Sequence, residues 1–156
     1  MTINIGVAGY GYWGPNLVRN FASTPGANVS AVADPRDAAR KMVQSAYPAV
    51  QTFDDPLEMI ARGNIDAVVI ATPVSTHYPL AAAALSAGKH VLVEKPLCQS
   101  VAEAEDLIKH AERAGCVLMV DHTFLFTGAV QAISGIVGKG DLGKVCYFDS
   151  TRVNLG

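Results

Sequence analysis

The chain has 156 residues, of which 50% are hydrophobic and 17% charged, with a formal net charge of −2 and a mean hydropathy of +0.25. This composition is typical of a globular fold with one good core, and without any lysine- and arginine-rich cluster it argues against nucleic acid or an anionic membrane as a partner. Because the sequence has neither a basic signal-peptide start nor an apolar run of roughly 20 residues, we expect a cytoplasmic protein without a membrane span.

Short apolar runs recur along the chain as far as Asp121. They are continuous rather than alternating, which is typical of parallel strands that helices cover on both faces. The predicted strands are residues 3–8, 29–33, 50–53, 67–71, 91–93 and 117–120.

Helical patterns fill the gaps between these strands. The predicted helices begin near Trp13, after Asp34-Pro35, at Asp55-Pro56, at Ser75 and at Ser100, where Glu103 completes a capping box. Strands and helices that alternate in this way predict an α/β fold, a doubly wound parallel sheet of the Rossmann type.

The pattern changes after Asp121. Residues 125–137 are predicted to be helical, 138–143 form a glycine-rich loop, and 144–153 alternate like a strand with one covered face. We therefore predict a Rossmann domain at residues 1–121 and the beginning of a second α/β domain at 122–156. Because a single strand is not stable alone, the exposed edge at 144–153 predicts a pairing partner, self-association or disorder.

The three cysteines are Cys98, Cys116 and Cys146. They are widely spaced and form neither a CxxC pair nor a cluster of metal ligands. The sequence therefore predicts reduced thiols and no metal site.

The segment GYGYWG at residues 9–14 fits GxGxxG and lies between the first predicted strand and the first predicted helix. Gly9 would allow a tight turn, Gly11 would let a pyrophosphate approach the backbone, and Gly14 would let the helix pack close to the sheet. Pro15 has no N–H, so the donors to the phosphates should come from the residues before it, Tyr12, Trp13 and Gly14. A dinucleotide site is predicted, with a methyltransferase-like fold as the alternative.

Asp34 follows the second predicted strand, about 20 residues after Gly14. A carboxylate in this place can accept both hydroxyls of a ribose and repels a 2′-phosphate, which favours NAD. Asp34 before Pro35 is also a typical helix cap. Arg36 could instead attract a 2′-phosphate, so NADP stays open as an alternative cofactor.

The segment HVLVEKPL at residues 90–97 ends an apolar strand with two charged residues and a proline. Ligands of open parallel sheets bind outside the carboxyl ends of the strands, so Lys95 would lie near a bound nicotinamide. There it could bind a substrate hydroxyl and stabilise a developing oxyanion, with Glu94 to orient it. Pro96 would turn the backbone sharply, and the Lys95-Pro96 peptide bond could be either cis or trans. The alternative is a solvated charge at a strand end.

Thr72 and Pro73 end the preceding strand, and His77 begins the helix after it. These three residues fall on the same edge of the predicted sheet. Considered alone, His77 is expected to be an exposed residue of a first helical turn.

Three blocks of the sequence together resemble the Gfo/Idh/MocA oxidoreductases, which include glucose–fructose oxidoreductase and inositol dehydrogenase. They are GVAGYGYWG with Asp34, the run DAVVIATPVSTHYPLAAAALSAGKHVLVEKPL, and the helix SVAEAEDLIKHAERAG. The EKP block after TP…H is the specific part. The GYGYWGPN opening and the VDHTFLF segment are similar to members that act on nucleotide-linked amino sugars.

The resemblance implies a Rossmann domain followed by an α/β domain with a large open sheet, NAD or NADP as cofactor, and a homo-oligomer in the full-length form. It also implies sugars, cyclitols or nucleotide-linked sugars as substrates. Lys95 matches the family's active-site lysine, and Glu94 commonly contacts the cofactor. The other matching positions are the cofactor loop and ribose acid, Gly9, Gly11, Gly14 and Asp34, and the nicotinamide side, Thr72, Pro73 and His77.

One family element has no match. An Asp-x-x-x-His stretch in the second domain normally supplies the general base, and nothing after Asp121 fits it. Asp121-His122 could supply a base instead, or form an interdomain hinge or a substrate contact. The chain is therefore predicted to be an NAD(P)-dependent oxidoreductase or its cofactor-binding part. A non-catalytic NAD(H)-binding module and an accessory subunit are the alternatives.

Overall fold

The structure is a computed structural model that describes residues 2–151 and residue 153. The chain divides into two compact units, Met1–Asp121 and His122–Gly156. The first unit contains the sheet and the second a short helical segment.

A sheet of six parallel strands forms the centre of the first unit, in the order β3-β2-β1-β4-β5-β6. The strands are β1 (Ile3–Ala8), β2 (Ala27–Ala33), β3 (Gln51–Phe53), β4 (Ala67–Ile70), β5 (His90–Glu94) and β6 (Leu118–Asp121). In this order the chain runs outwards from β1 in one direction and from β4 in the other, which is the doubly wound arrangement. The predicted Rossmann fold is confirmed.

Five helices connect the strands: α1 (Gly14–Ser23), α2 (Asp37–Ala46), α3 (Pro56–Arg62), α4 (His77–Ser86) and α5 (Val101–Ala114). A 3-10 turn, Val74–Thr76, precedes α4, so that helix begins two residues later than predicted. Asp55 caps α3 by accepting the Leu57 N–H at 2.8 Å. At α5, Ser100 accepts the Glu103 N–H at 3.2 Å, and the Glu103 carboxylate accepts the Gln99 N–H at 2.9 Å.

The core consists of two apolar clusters. Strand residues such as Val7 and Val69 pack with Val18 of α1 and Val43 of α2. The alternate strand residues belong to the second cluster, with α3, α4 and α5, among them Val68, Ile70, Met59, Leu85 and Leu107. Since successive strand side chains enter different clusters, the strands read as continuous apolar runs.

The second unit begins with a 3-10 turn, Thr123–Phe126, followed by α6 (Gly128–Lys139). The helix predicted at residues 125–137 therefore begins three residues later. The strand predicted at 144–153 is wrong for the residues that the structure describes, since 144–151 and 153 form neither helix nor strand. A lone segment has no neighbouring strand to receive its backbone N–H and C=O groups, and Tyr147 and Phe148 are exposed. Arg152 lies outside the described residues.

Candidate functional site

Two glycines close the loop between β1 and α1. Gly9 has a φ of +95°, and a Cβ there would lie 2.6 Å from the carbonyl oxygen of Ala71. A Cβ on Gly14 would collide with the carbonyl oxygen of Gly9. Only glycine fits either position, so the loop holds the start of α1 close to the ends of β1 and β4.

The middle of this loop is open. A Cβ on Gly11 would meet no heavy atom within 4 Å. In the part of the chain that the structure describes, the backbone N–H groups of Gly11, Tyr12 and Trp13 donate no hydrogen bond. These free donors precede the N-terminus of α1, where the helix dipole favours negative charge. Both the space and the donors suit a diphosphate.

Asp34 follows β2 and is 3% exposed. Its carboxylate accepts the Tyr10 N–H at 2.8 Å, the Arg36 N–H at 2.9 Å and two guanidinium N–H groups of Arg36, each at 2.9 Å. The alternative role as a helix cap is wrong, because α2 begins at Asp37 and the residue in its cap position is Arg36. Asp34 instead holds the end of β2 to the glycine loop.

The charge on Asp34 is well stabilised. Burial by itself would raise the pKa of Asp34, but the hydrogen bonds from Arg36 and Tyr10 and the charge of Arg36 hold it below its usual value. The four donors occupy about all the lone-pair sites that a carboxylate offers. A ribose hydroxyl would therefore compete with the guanidinium of Arg36, whose side chain is 61% exposed.

Lys95 directly follows β5, and its peptide bond to Pro96 is cis. The Lys95 side chain is exposed, and within the described residues its ammonium group has no hydrogen-bond or ion-pair partner. Glu94 is half-buried and accepts the Lys95 N–H at 3.2 Å. Burial and the charge of Asp121 raise the pKa of Glu94, against the lowering effects of the Lys95 N–H and of the charges on Lys95 and His77.

The expectation of an exposed His77 is wrong, because the side chain is 2% exposed. One ring nitrogen lies 2.8 Å from the carbonyl oxygen of Pro96 and the other 2.9 Å from that of Thr72. The 3-10 turn before α4 places the ring between the loops that follow β4 and β5. Thr72 is half-buried, and Pro73 is exposed.

The structure thus brings most of the predicted site residues to one edge of the sheet. The carboxyl ends of β1, β4 and β5 are adjacent, and they carry the glycine loop, Thr72 and Lys95. Asp34 joins them through its bond to Tyr10. Sequence reasoning missed Arg40 of α2, which donates to the carbonyl oxygens of Asp34 and Pro35 at 2.9 Å. A helical arginine six residues beyond the acid gives no signal of that contact.

The remaining expectations concern Asp121-His122, a metal site, the cysteines and a membrane span. Asp121 ends β6 in the first unit, while His122 begins the second unit and is exposed. Over residues 2–151 and 153, the structure gathers no three side chains able to hold a metal ion, and its cysteines are unpaired. No helix in the same residues is long and apolar enough to cross a membrane.

Comparison with known proteins identifies the class. The family model for oxidoreductases with an NAD-binding Rossmann fold, Gfo/Idh/MocA, matches residues 3–122. The uncharacterised oxidoreductase YdgJ of Escherichia coli K12 is 36% identical over 149 residues, which are 95% of this chain and 42% of YdgJ. The NAD⁺-dependent scyllo-inositol 2-dehydrogenase of Bacillus subtilis is 32% identical over 146 residues, 94% of this chain and 42% of that protein.

A solved structure matches in the same way. Scyllo-inositol dehydrogenase from Lactobacillus casei, crystallised with NAD(H) and scyllo-inositol, superposes with a TM-score of 0.85 at 26% identity. The match covers 92% of this chain and 43% of that one. The chain belongs to the Gfo/Idh/MocA family of oxidoreductases, as its sequence motifs indicated, and spans about two fifths of the length of these relatives.

Proposed function

We propose that this chain is the cofactor-binding part of an NAD-dependent oxidoreductase that acts on a hydroxyl-bearing carbon of a sugar, cyclitol or nucleotide-linked sugar. Its relatives include a dehydrogenase named for scyllo-inositol, and the family model describes an NAD-binding fold. In this proposal residues 1–121 form the cofactor domain, and 122–156 begin the domain that completes the substrate site.

The observation that carries the proposal is the open glycine loop. Among the residues that the structure describes, none fills the space beside Gly11 or pairs with the N–H groups before α1, and a buried, ionised carboxylate lies beside the same loop. A diphosphate on these donors would direct the adenosine ribose towards Asp34 and the nicotinamide towards the ends of β4 and β5. In that pose Thr72, Pro73 and Glu94 line the nicotinamide side.

Asp34 supports NAD over NADP. Its negative charge is buried and stabilised, so a 2′-phosphate beside it would meet repulsion. Arg36 supplies an opposite charge, but two of its three guanidinium nitrogens, Nε and Nη2, already donate to Asp34. A guanidinium engaged in this way attracts a phosphate less than a free one does.

Lys95 is the proposed catalytic residue. The nicotinamide ring supplies the carbon that accepts or returns the hydride. As the C–H electron pair leaves the substrate, the hydroxyl oxygen becomes a carbonyl oxygen and its proton must move to a base. The exposed ammonium group of Lys95, which has no partner among the residues that the structure describes, can donate a hydrogen bond to that oxygen and stabilise its developing negative charge.

A second candidate function is an NAD(H)-binding module without turnover, as a free-standing or accessory chain. Its basis is the match of the NAD-binding family model to residues 3–122, which supports binding of the cofactor without itself supporting turnover. Both candidate functions predict that the chain binds NADH in a titration. Only the oxidoreductase predicts oxidation of a nucleotide-linked sugar or a cyclitol, so that assay separates the two.

The test is Lys95→Met. Lys95 lies at the end of the sheet but is not placed on the phosphate donors, so NADH affinity of the 156-residue chain should change less than about threefold. In a longer form that turns over, kcat should fall about 100- to 1,000-fold, as when one oxyanion donor is lost. The measurements are NADH fluorescence titration and steady-state rates.

Lys109→Met is the matched control, because Lys109 is exposed on α5. It should leave both NADH affinity and kcat unchanged. If Lys95→Met weakened NADH binding as much as it reduced kcat, the lysine would be a cofactor ligand and the proposed role would fail.

A further inference from the structure

The ring of His77 joins the loop after β4 to the loop after β5, through contacts with residues 5 and 19 positions away along the chain. His77 is the first residue of α4 and is fully buried. Its Nδ1 lies 2.8 Å from the carbonyl oxygen of Pro96, and its Nε2 lies 2.9 Å from the carbonyl oxygen of Thr72. The side chain thus spans from the loop after β4 to the turn that carries Lys95.

Both neighbours of the ring are backbone carbonyl oxygens, which accept hydrogen bonds and cannot donate them. A neutral imidazole has one N–H and one lone pair, so it can satisfy only one of these two contacts. The other contact would oppose a nitrogen lone pair to an oxygen lone pair at hydrogen-bond distance. Two N–H groups, and hence an imidazolium ion, satisfy both contacts.

The surroundings can balance such a charge. Glu94 ends β5 next to the turn, and a positive charge on His77 lies close enough to lower the pKa of Glu94. The other charged groups that act on Glu94 are Lys95 and Asp121.

We infer that His77 is a positioning residue that carries both ring protons and clamps the Thr72 loop to the Lys95-Pro96 turn, without touching the cofactor. The protonation of His77 does not depend on the proposed function. The importance of the clamp does, because the clamp fixes the backbone that carries Lys95, the proposed catalytic residue. The resemblance places His77 among residues on the nicotinamide side, but both its nitrogens are already bonded to protein backbone.

The first test reads the ring directly. The 156-residue chain is labelled with ¹⁵N-histidine, and long-range ¹H–¹⁵N correlation spectra are recorded at about pH 7.5, where an ordinary histidine is mostly neutral. His77→Gln identifies the His77 signals by their loss. We expect both ring nitrogens of His77 to be of the protonated type. A neutral ring with one unprotonated nitrogen would overturn the inference.

The same sample reports whether the clamp positions the turn. As pH is raised, the backbone amide signals of Lys95, Leu97 and Val74 should shift with the midpoint at which the His77 ring loses its proton. The same amide shifts should be absent from His77→Gln, which separates the effect of the ring from that of Glu94, a neighbouring carboxyl group with a raised pKa. A positioning role would be contradicted if the chemical shifts of these amides did not change at the pH at which the His77 ring loses its proton.

NADH titration separates this inference from the proposed function. His77→Gln should change NADH affinity less than about threefold, as should the control His110→Gln on α5. A tenfold loss confined to His77→Gln would make the ring a cofactor ligand and overturn the clamp. Failure of the unaltered chain to bind NADH would instead contradict the proposed function, and the ring spectra would still decide the protonation of His77. If His77→Gln does not fold, the variants His90→Gln, His110→Gln and His122→Gln assign the other three histidines, and the His77 signals follow by elimination.

Discussion

A buried carboxylate with four donors should make stability depend on pH. The folded-state pKa of Asp34 lies below the unfolded value of 3.8, so its contribution is complete above that value and is lost as pH falls through the lower folded-state pKa. Asp34→Asn removes this contribution. At pH 7 we expect the variant to lose about 1–3 kcal/mol of unfolding free energy, because an amide cannot accept all four bonds.

Urea unfolding at pH 7 and at about pH 3 measures the effect. The difference between the unaltered chain and Asp34→Asn should shrink at the lower pH, because the Asp34 carboxyl of the unfolded chain, with its ordinary pKa of 3.8, is mostly protonated there. Asp54→Asn, at an exposed position, is the control and should show no such change. A gap that stays constant or widens at low pH would mean that the ionised form is not the stabilising one.

At the scale of elements, local sequence patterns predicted the positions of most strands and helices. Strand runs predicted all six strands to within one or two residues, and Asp55 and Ser100 cap the helices as their sequence positions indicated. These features depend on residues within one turn of each other. The buried ring of His77, which contacts Pro96 19 residues away, and the bond from Tyr10 to Asp34 across 24 residues could not be predicted, because only folding brings these segments together.

The strand predicted at 144–153 shows that a local sequence pattern can also predict an element that does not form. Its alternating apolar residues carry a strand signal, yet the described part of this segment forms no strand. A strand exists only with a neighbour, and a sequence pattern gives no information on whether that neighbour is present.

The capping box of α5 provides a test at this scale. Ser100→Ala removes the oxygen that accepts the Glu103 N–H, so the free energy of unfolding should fall by about 1 kcal/mol. Because α5 packs on β6 and α4, away from the glycine loop, NADH affinity should not change.

Ser45→Ala in α2 removes the same hydroxyl from an exposed helical position and is the matched control for urea unfolding. It should leave stability unchanged or raise it slightly, since alanine is the better helix former. A loss in Ser100→Ala no larger than that in Ser45→Ala would show that the cap contributes nothing.

At the scale of the whole molecule, the two units differ in how much apolar surface they bury. The first unit contains the sheet, both core clusters and the candidate site, whereas α6 and the residues after it expose large apolar side chains. A chain that ends at Asp121 should therefore unfold within about 0.5 kcal/mol of the full chain and bind NADH with a similar Kd.

Sedimentation velocity adds a second readout to that truncation. The exposed apolar residues of the second unit favour association, so the 156-residue chain should self-associate more than the shortened one. Aggregation or loss of cooperative unfolding on removal of residues 122–156 would instead show that the sheet depends on them.

The open glycine loop allows fold and binding to be tested separately. Gly11→Ala adds a methyl group where no heavy atom lies within 4 Å, so the fold should keep its stability or gain up to about 1 kcal/mol. The same methyl group occupies the space assigned to the diphosphate. Gly138→Ala in α6, which is equally unobstructed, is the control.

The most direct measurement is calorimetric titration of NADH into the unaltered chain, Gly11→Ala and Gly138→Ala. The account predicts that the unaltered chain and Gly138→Ala bind alike, while Gly11→Ala binds at least about tenfold more weakly, a loss of roughly 1.4 kcal/mol, at undiminished thermal stability. Equal NADH affinity in all three proteins, or no binding by the unaltered chain, would contradict it.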